Sequence, residues 1–239
     1  MKKRLLSGTL LCAMLLALCV FAFPAAGAAA EDAPRDLPNV DIHSWEFMLC
    51  NAYNSIAQYE PEYGGLEGQG LDPRIVEPTQ KFLRAAREAG FTVYIAYGYR
   101  NHEWLYTHYT MNFGACDHDP ILTAKTFQGM GVNEHQTGLA VDFTDVVWRS
   151  ATYDEFSDPE IFDTELYAWL VENCADYGFV LRYPTDKAYY YGVACPHAHF
   201  RYVGLEAAKY MKEHELCLEE FIMLYDPDLV YIPENGRLD

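Results

Sequence analysis

The chain has 239 residues, 51% of them hydrophobic, and a formal charge of −18 from 17 Lys and Arg against 35 Asp and Glu. Such acidity argues against direct binding to nucleic acid or an anionic membrane surface, where basic patches dominate. Length and apolar content together allow one sizeable buried core, so a single folded domain is expected.

In chain order, the charged start Met1-Lys2-Lys3-Arg4, the apolar run Leu10 to Phe23 and the small residues Pro24-Ala25-Ala26-Gly27-Ala28-Ala29-Ala30 have the three parts of a secretory signal peptide. The run is too short for a membrane span, and Leu stands before both Cys12 and Cys19 where a lipid-attachment site wants a small residue. Export with cleavage of residues 1–30 is therefore expected. Three basic and no acidic residues leave with that segment, taking the charge from −18 to −21, and five of the seven cysteines remain. An odd number leaves at least one thiol outside any internal disulfide. No Cys-x-x-Cys occurs, which gives no support to a structural zinc finger, and Cys174 lies in a helical pattern that favours burial over bridging.

Residues 31–44 read as a short tether, 45–220 as the domain and 221–239 as a tail. Arg74 to Ala89 has the spacing of an amphipathic helix, ended by Gly90 at the position where helices turn left-handed. Phe91 to Tyr97 alternates and is rich in β-branched and aromatic residues, which predicts a strand. A helix is expected over 102–112, a Gly- and Asp-containing loop over 113–132, a strand over 139–143, and a helix from Pro159 to Tyr177 stopped by Gly178. Strands are predicted for Phe179–Tyr183 and His199–Val203, a short helix for 205–213, and a partly helical tail from Cys217. Helices and short strands without strict alternation indicate an α+β domain, a small antiparallel sheet with surrounding helices.

Two motifs carry chemistry. Asn133-Glu134-His135-Gln136-Thr137-Gly138 delivers a histidine on a turn, and Leu139-Ala140-Val141-Asp142 brings an aspartate on the strand that follows. Further on, Pro196-His197-Ala198-His199-Phe200-Arg201 gives a His-x-His whose two rings would share one strand face. Two imidazoles and one carboxylate around a metal, with a third histidine beside them, are the parts of a catalytic zinc site with an open position for water. The remaining candidates have plainer readings. Glu134 and Gln136 read as solvent-facing turn residues, Asp145 as a loop acid, and Arg182 and Arg201 as ion-pair partners. Tyr97, Tyr99 and Tyr202 read equally as cleft-lining or strand-packing aromatics, and His102, His108 and His118 sit in a helix–loop segment with little claim to a second metal site.

The order Tyr97-Gly98-Tyr99-Arg100, Glu134 to Asp142, Trp169 to Pro184 and His199-Phe200-Arg201-Tyr202-Val203-Gly204, with Trp45 to Asn51 as an opening segment, resembles the VanY-type D-alanyl-D-alanine carboxypeptidases. The resemblance implies a zinc peptidase of the bacterial cell wall with a hedgehog/DD-peptidase-like zinc fold, acting on peptidoglycan stem peptides. It also implies His135, Asp142 and His199 as zinc ligands, Arg100 as the guanidinium at the oxyanion or the substrate carboxylate, and Tyr99 and Asn133 at the substrate. One departure is chemical. The family places a glutamate general base three residues before the last ligand, and here that position is Pro196, which moves no proton. His197 is the replacement to expect, since imidazole titrates near neutral pH. Two rivals stay open: a zinc-containing wall-binding module without activity, and a thiol hydrolase using Cys195 with His197. The choice among D,D-carboxypeptidase, L,D-carboxypeptidase and stem-peptide endopeptidase is open as well, as is the oligomeric state.

Overall fold

In the computed structural model, which describes residues 36–145, 164–192 and 198–234, four antiparallel strands form the central sheet in the order β3–β4–β6–β5. They are β3 (Tyr94–Tyr97), β4 (Ala140–Thr144), β5 (Phe179–Leu181) and β6 (His199–Tyr202). Alternation along each strand sorts the side chains. Val141, Phe143, Phe179 and Phe200 turn to one side, where they are buried in the main apolar cluster. Asp142, His199 and Arg201 occupy the alternate positions.

The apolar face is covered by α1 (Pro73–Glu88). Asp72 caps it by accepting from the Arg74 amide at 2.9 Å, and Pro73 fills the first helical position, where no amide hydrogen is needed. Ile75, Thr79, Phe82, Leu83 and Ala86 fall on one buried stripe, and Gly90 leaves the helix at φ 99°. Phe82 is fully buried at the centre, with ring centroids 5.3 Å from Phe143, 5.8 Å from Phe179, 6.0 Å from Phe200 and 5.1 Å from Tyr177. The helix Glu165–Asn173 closes the same side, capped by the Thr164 hydroxyl. A second apolar cluster takes Val180 and Val203 from the opposite side of the sheet and packs them with Ala207 and Met211 of the helix Leu205–Glu213 and with Leu218, Phe221 and Ile222 of the helix Leu218–Met223.

Differences from the sequence expectation have local causes. The strand expected from Phe91 begins only at Tyr94, because Phe91 is used as packing against Trp169 rather than in the ladder. The loop expected over 113–132 contains the end of α2 (His102–Ala115) and all of α3 (Pro120–Thr126). The start of α3 is set by Asp119, whose carboxylate accepts from the Leu122 amide, followed by Pro120 in the first turn. A hairpin of β1 (Gly64–Leu66) and β2 (Gln69–Leu71) was not anticipated; Glu67 and Gly68 both have positive φ, 53° and 87°, the two-residue turn that matches strand twist. Residues 36–44, read as tether, contribute the buried Ile42, and the tail contributes Val230 to the same cluster. Cys50, Cys174 and Cys217 are buried thiols in no disulfide, and burial pushes the Cys174 thiol up to about 12. No helix among the described residues is long and apolar enough to cross a membrane. The expected signal peptide, Pro159 to Asp163 at the start of the predicted helix, and Cys195, Pro196 and His197 lie outside the described residues.

Phe82 joins α1 to three strands and the Cys174–Tyr177 turn. Replacing it with alanine should cost about 3–5 kcal/mol in urea unfolding. A loss below about 1 kcal/mol would show that α1 is held mainly by other contacts.

Candidate metal centre

The register of β4 against β6 places Asp142 directly opposite His199. Residues facing each other in an antiparallel pair have Cβ atoms about 4.5–5.5 Å apart, close enough for short side chains to meet. Asp142 Oδ1 lies 2.7 Å from His199 Nδ1, and its other oxygen lies 3.1 Å from His135 Nε2. The two imidazoles stand edge to face with centroids 4.7 Å apart.

His135 arrives from the 3-10 turn Glu134–Thr137 that feeds β4. Asn133 Oδ1 accepts from the His135 amide at 3.1 Å, and Thr137 Oγ1 donates to the Glu134 carbonyl and accepts from the Leu139 amide. Gly138 then turns the chain at φ 73°, a conformation that side chains with a Cβ resist, and a Cβ there would meet the Asp72 amide nitrogen at 3.1 Å. Both histidines are 4% exposed, while the Asp142 side chain keeps 17% of its surface.

Beneath the centre lies a network of buried charge. Glu134 Oε1 accepts from Arg182 Nε and from Arg201 Nη1, both at 2.7 Å, and its other oxygen faces His199 Nε2 at 3.0 Å. Arg182 also grips Glu219 through both terminal nitrogens, at 2.9 and 2.7 Å. Arg201 donates to the Glu46 and Met48 carbonyls, tying in the opening segment. The expectation of Glu134 and Gln136 as solvent-facing is thus corrected: they are 1% and 0% exposed. Gln136 accepts from the Gly131 amide and donates to the Ala57 and Tyr59 carbonyls, so both flanks of the turn that carries His135 are anchored in the interior. Arg182 and Arg201 are the ion-pair partners expected. They were also the overlooked signal, since two arginines in apolar strands need a buried acid between them.

Protonation follows the surroundings. Burial alone would raise the Glu134 carboxyl, but Arg182, Arg201 and His199 outweigh it and hold the group well below the usual carboxylate range. As a carboxylate it can only accept from His199 Nε2, and Nδ1 is the nitrogen turned toward Asp142. Burial, with the Arg100 charge adding, pushes His135 down to about 4 against the pull of Asp142, which leaves this ring neutral at physiological pH. Burial opposes charge on His199 also, but Asp142 and Glu134 raise it. Burial would raise Asp142 as well, yet both histidines hold it far below the normal range.

His135, Asp142 and His199 present three donor atoms within 4.8 Å of one another, the one such group among the described residues. Zinc holds nitrogen and carboxylate donors at about 2.0–2.2 Å, and two imidazoles with one carboxylate are a donor set it favours. The residues fit such an ion with small side-chain movements, and the Glu134 hydrogen bond would orient the His199 ring as outer-shell carboxylates orient a metal-bound imidazole.

Around this group the other candidates divide. Arg100 is held between Tyr97 and Trp104, its guanidinium carbon 4.2 and 4.4 Å from the two ring centres, and its amide donates to the His135 carbonyl. Tyr97 stands edge-on to His135 at 6.4 Å. Tyr99 is half-buried and tilted against exposed Tyr63 at 5.0 Å. Tyr202 stacks on Trp45 and meets Phe179 edge-on, a packing role. Asn133, expected at the substrate, turns its amide oxygen to the His135 amide and its amide nitrogen to the Gln128 carbonyl. His102 faces Gln136 and Glu60, His108 bonds the Trp104 carbonyl and His118 packs on Phe113; they form no second metal group among the described residues.

Fold and donor set together define a candidate metal-dependent hydrolase. The family model described as VanY, D-alanyl-D-alanine carboxypeptidase, matches residues 68–205. A D-alanyl-D-alanine carboxypeptidase of Enterococcus faecalis is 35% identical over 191 residues, covering 76% of this chain and 67% of that protein. Among solved structures, VanYB in complex with D-alanine-D-alanine is 32% identical with a TM-score of 0.63, covering 77% of this chain and 100% of that one. A mutant of the vancomycin-resistance D,D-pentapeptidase VanY in complex with Zn(II) is also 32% identical, with a TM-score of 0.60 over 75% of this chain and 99% of that one. The chain belongs to the VanY D-alanyl-D-alanine carboxypeptidase family.

Removing the Glu134 side chain leaves two fully buried guanidiniums without their shared carboxylate. Glu134→Ala should lower stability by about 3–5 kcal/mol in denaturant unfolding; a near-neutral effect would mean that water reaches the network.

Proposed function

We propose that this protein is an exported zinc carboxypeptidase that removes the terminal D-alanine from peptidoglycan stem peptides. The observation that carries the proposal is the convergence of His135, Asp142 and His199 on one point, produced by the β4–β6 register, in a chain of this family. His135, Asp142 and His199 are read as the zinc ligands. Zinc, when bound, supplies a Lewis acid and lowers the pKa of a water from 15.7 to about 7.

The chain's own groups do the rest in this reading. His197, two residues before a ligand, takes the proton from the attacking water and returns it to the leaving amine, the duty that Pro196 cannot perform. Arg100, clamped between two aromatic rings, meets the negative charge that grows on the substrate oxygen or holds the substrate's terminal carboxylate. Tyr99 is read as a substrate contact; Asn133 acts by holding the ligand turn, its amide being engaged with the backbone. Residues 1–30 direct export, and the substrate is a wall peptide met outside the cytoplasm.

Pro196 also favours a second reading, a metal-holding module that recognises wall peptides without cutting them. One experiment separates the two: a muropeptide pentapeptide incubated with the purified protein, with and without a zinc chelator, and read by mass spectrometry. The proposal expects loss of one alanine, abolished by chelator and restored by zinc. His197→Ala should slow that loss by about 10²–10⁴-fold. Intact pentapeptide beside a zinc-loaded protein would favour the binding module, and cleavage confined to a tetrapeptide would move the assignment to an L,D-carboxypeptidase.

A further inference from the structure

The family match ends at residue 205, yet the ion-pair chain beneath the metal centre does not. It runs from His199 to Glu134, from Glu134 to Arg182, and from Arg182 to Glu219 on the helix Leu218–Met223. Asn51, ahead of the matched segment, donates at 2.6 Å to Glu219 Oε1, the oxygen that also accepts from Arg182 Nη2. Glu134, Arg182 and Glu219 are each fully buried.

The arrangement constrains geometry as well as charge. Arg182 is a planar fork with donors in fixed directions, and Glu219 fills its two terminal nitrogens while Glu134 takes Nε. The orientation of the guanidinium is therefore set by Glu219, and with it the location of the Glu134 oxygens. Glu134 in turn meets His199 Nε2 at 3.0 Å and so holds the ring with Nδ1 turned to Asp142. Glu219 itself is firmly anchored. Its neighbours Leu218, Phe221 and Ile222 are buried in the second apolar cluster, and Glu220 caps the helix by accepting from the Cys217 amide at 3.0 Å.

We propose that Glu219 is a positioning residue for the metal centre, acting through Arg182 and Glu134 on His199, so that a helix beyond the family segment completes the outer shell of the site. The inference rests on the reading of His199 as a metal ligand. Outer-shell partners of this kind change metal affinity by about 10–100-fold when removed, whereas a residue that only fills the core changes stability and leaves the ligand geometry of the folded protein alone.

The test uses the full chain with Glu219→Gln, which keeps the size and removes the charge. Zinc affinity is measured by competition with a chromophoric chelator, and the visible absorption of the cobalt(II) form reports the ligand geometry. The expected result is a loss of zinc affinity of about tenfold or more, with a shifted cobalt spectrum, in a protein that still unfolds cooperatively in chelator. Wild-type affinity and an unchanged spectrum would overturn the proposal. Should Glu219→Gln fail to fold, Glu219→Asp, which keeps the charge but shortens the reach, is read in the same two ways. His199→Ala separates this inference from the reading beneath it. Zinc retained by His199→Ala overturns the ligand assignment and the inference with it; zinc lost there, with wild-type behaviour in the Glu219 variants, overturns the inference alone.

Discussion

The Glu134 carboxylate is the constraint on which the centre depends. It receives two guanidiniums and one imidazole in the interior, and none of the four groups is tolerable there without the others. Burying a single charge costs several kcal/mol even after relaxation, so the network exists only as a set. Glu134 and Glu219 against Arg182 and Arg201 make two charges of each sign, fully buried and joined by hydrogen bonds of 2.7–2.9 Å. The arginines come from β5's end and from β6, the glutamates from the ligand turn and a late helix, so assembling the network brings four separated parts of the chain to the underside of the metal centre.

That arrangement gives the two faces of the sheet different work. On one, Phe82 and its aromatic neighbours supply non-directional burial, which holds α1 against the strands. On the other, beside the second apolar cluster, directional bonds hold Asp142 opposite His199 and bring His135 to them. Apolar packing alone would tolerate small slides of one strand on another. A slip of one residue between β4 and β6 would turn His199 to the apolar face and break the Asp142 pair, and the anchoring of Arg201 to Glu134, Glu46 and Met48 opposes it.

Much of the site was readable from residues alone because it depends on strand alternation and on one turn. Asp142 lies in an apolar run and His199 in the sequence His-Phe-Arg-Tyr-Val, both with strand character, and Thr137-Gly138 marks the turn that carries His135. The helix expected at 205–213 coincides with Leu205–Glu213. Local pattern makes Glu134, a charged turn residue, look solvated, and only the non-local need of Arg182 and Arg201 buries it. The Gly64–Leu71 hairpin escaped for a related reason: its strands are three residues each and rich in glycine, so only the backbone turn at Glu67-Gly68 signals it.

The central claim is that His135, Asp142 and His199 hold one zinc ion whose chemistry the rest of the site serves. The most direct measurement is anomalous diffraction from crystals of the zinc-loaded protein, recorded on either side of the zinc absorption edge. The account predicts a single strong peak bounded by His135 Nε2, an Asp142 carboxylate oxygen and His199 Nδ1, at about 2.0–2.2 Å from each. A peak on other residues, or none there at full zinc loading, would contradict it.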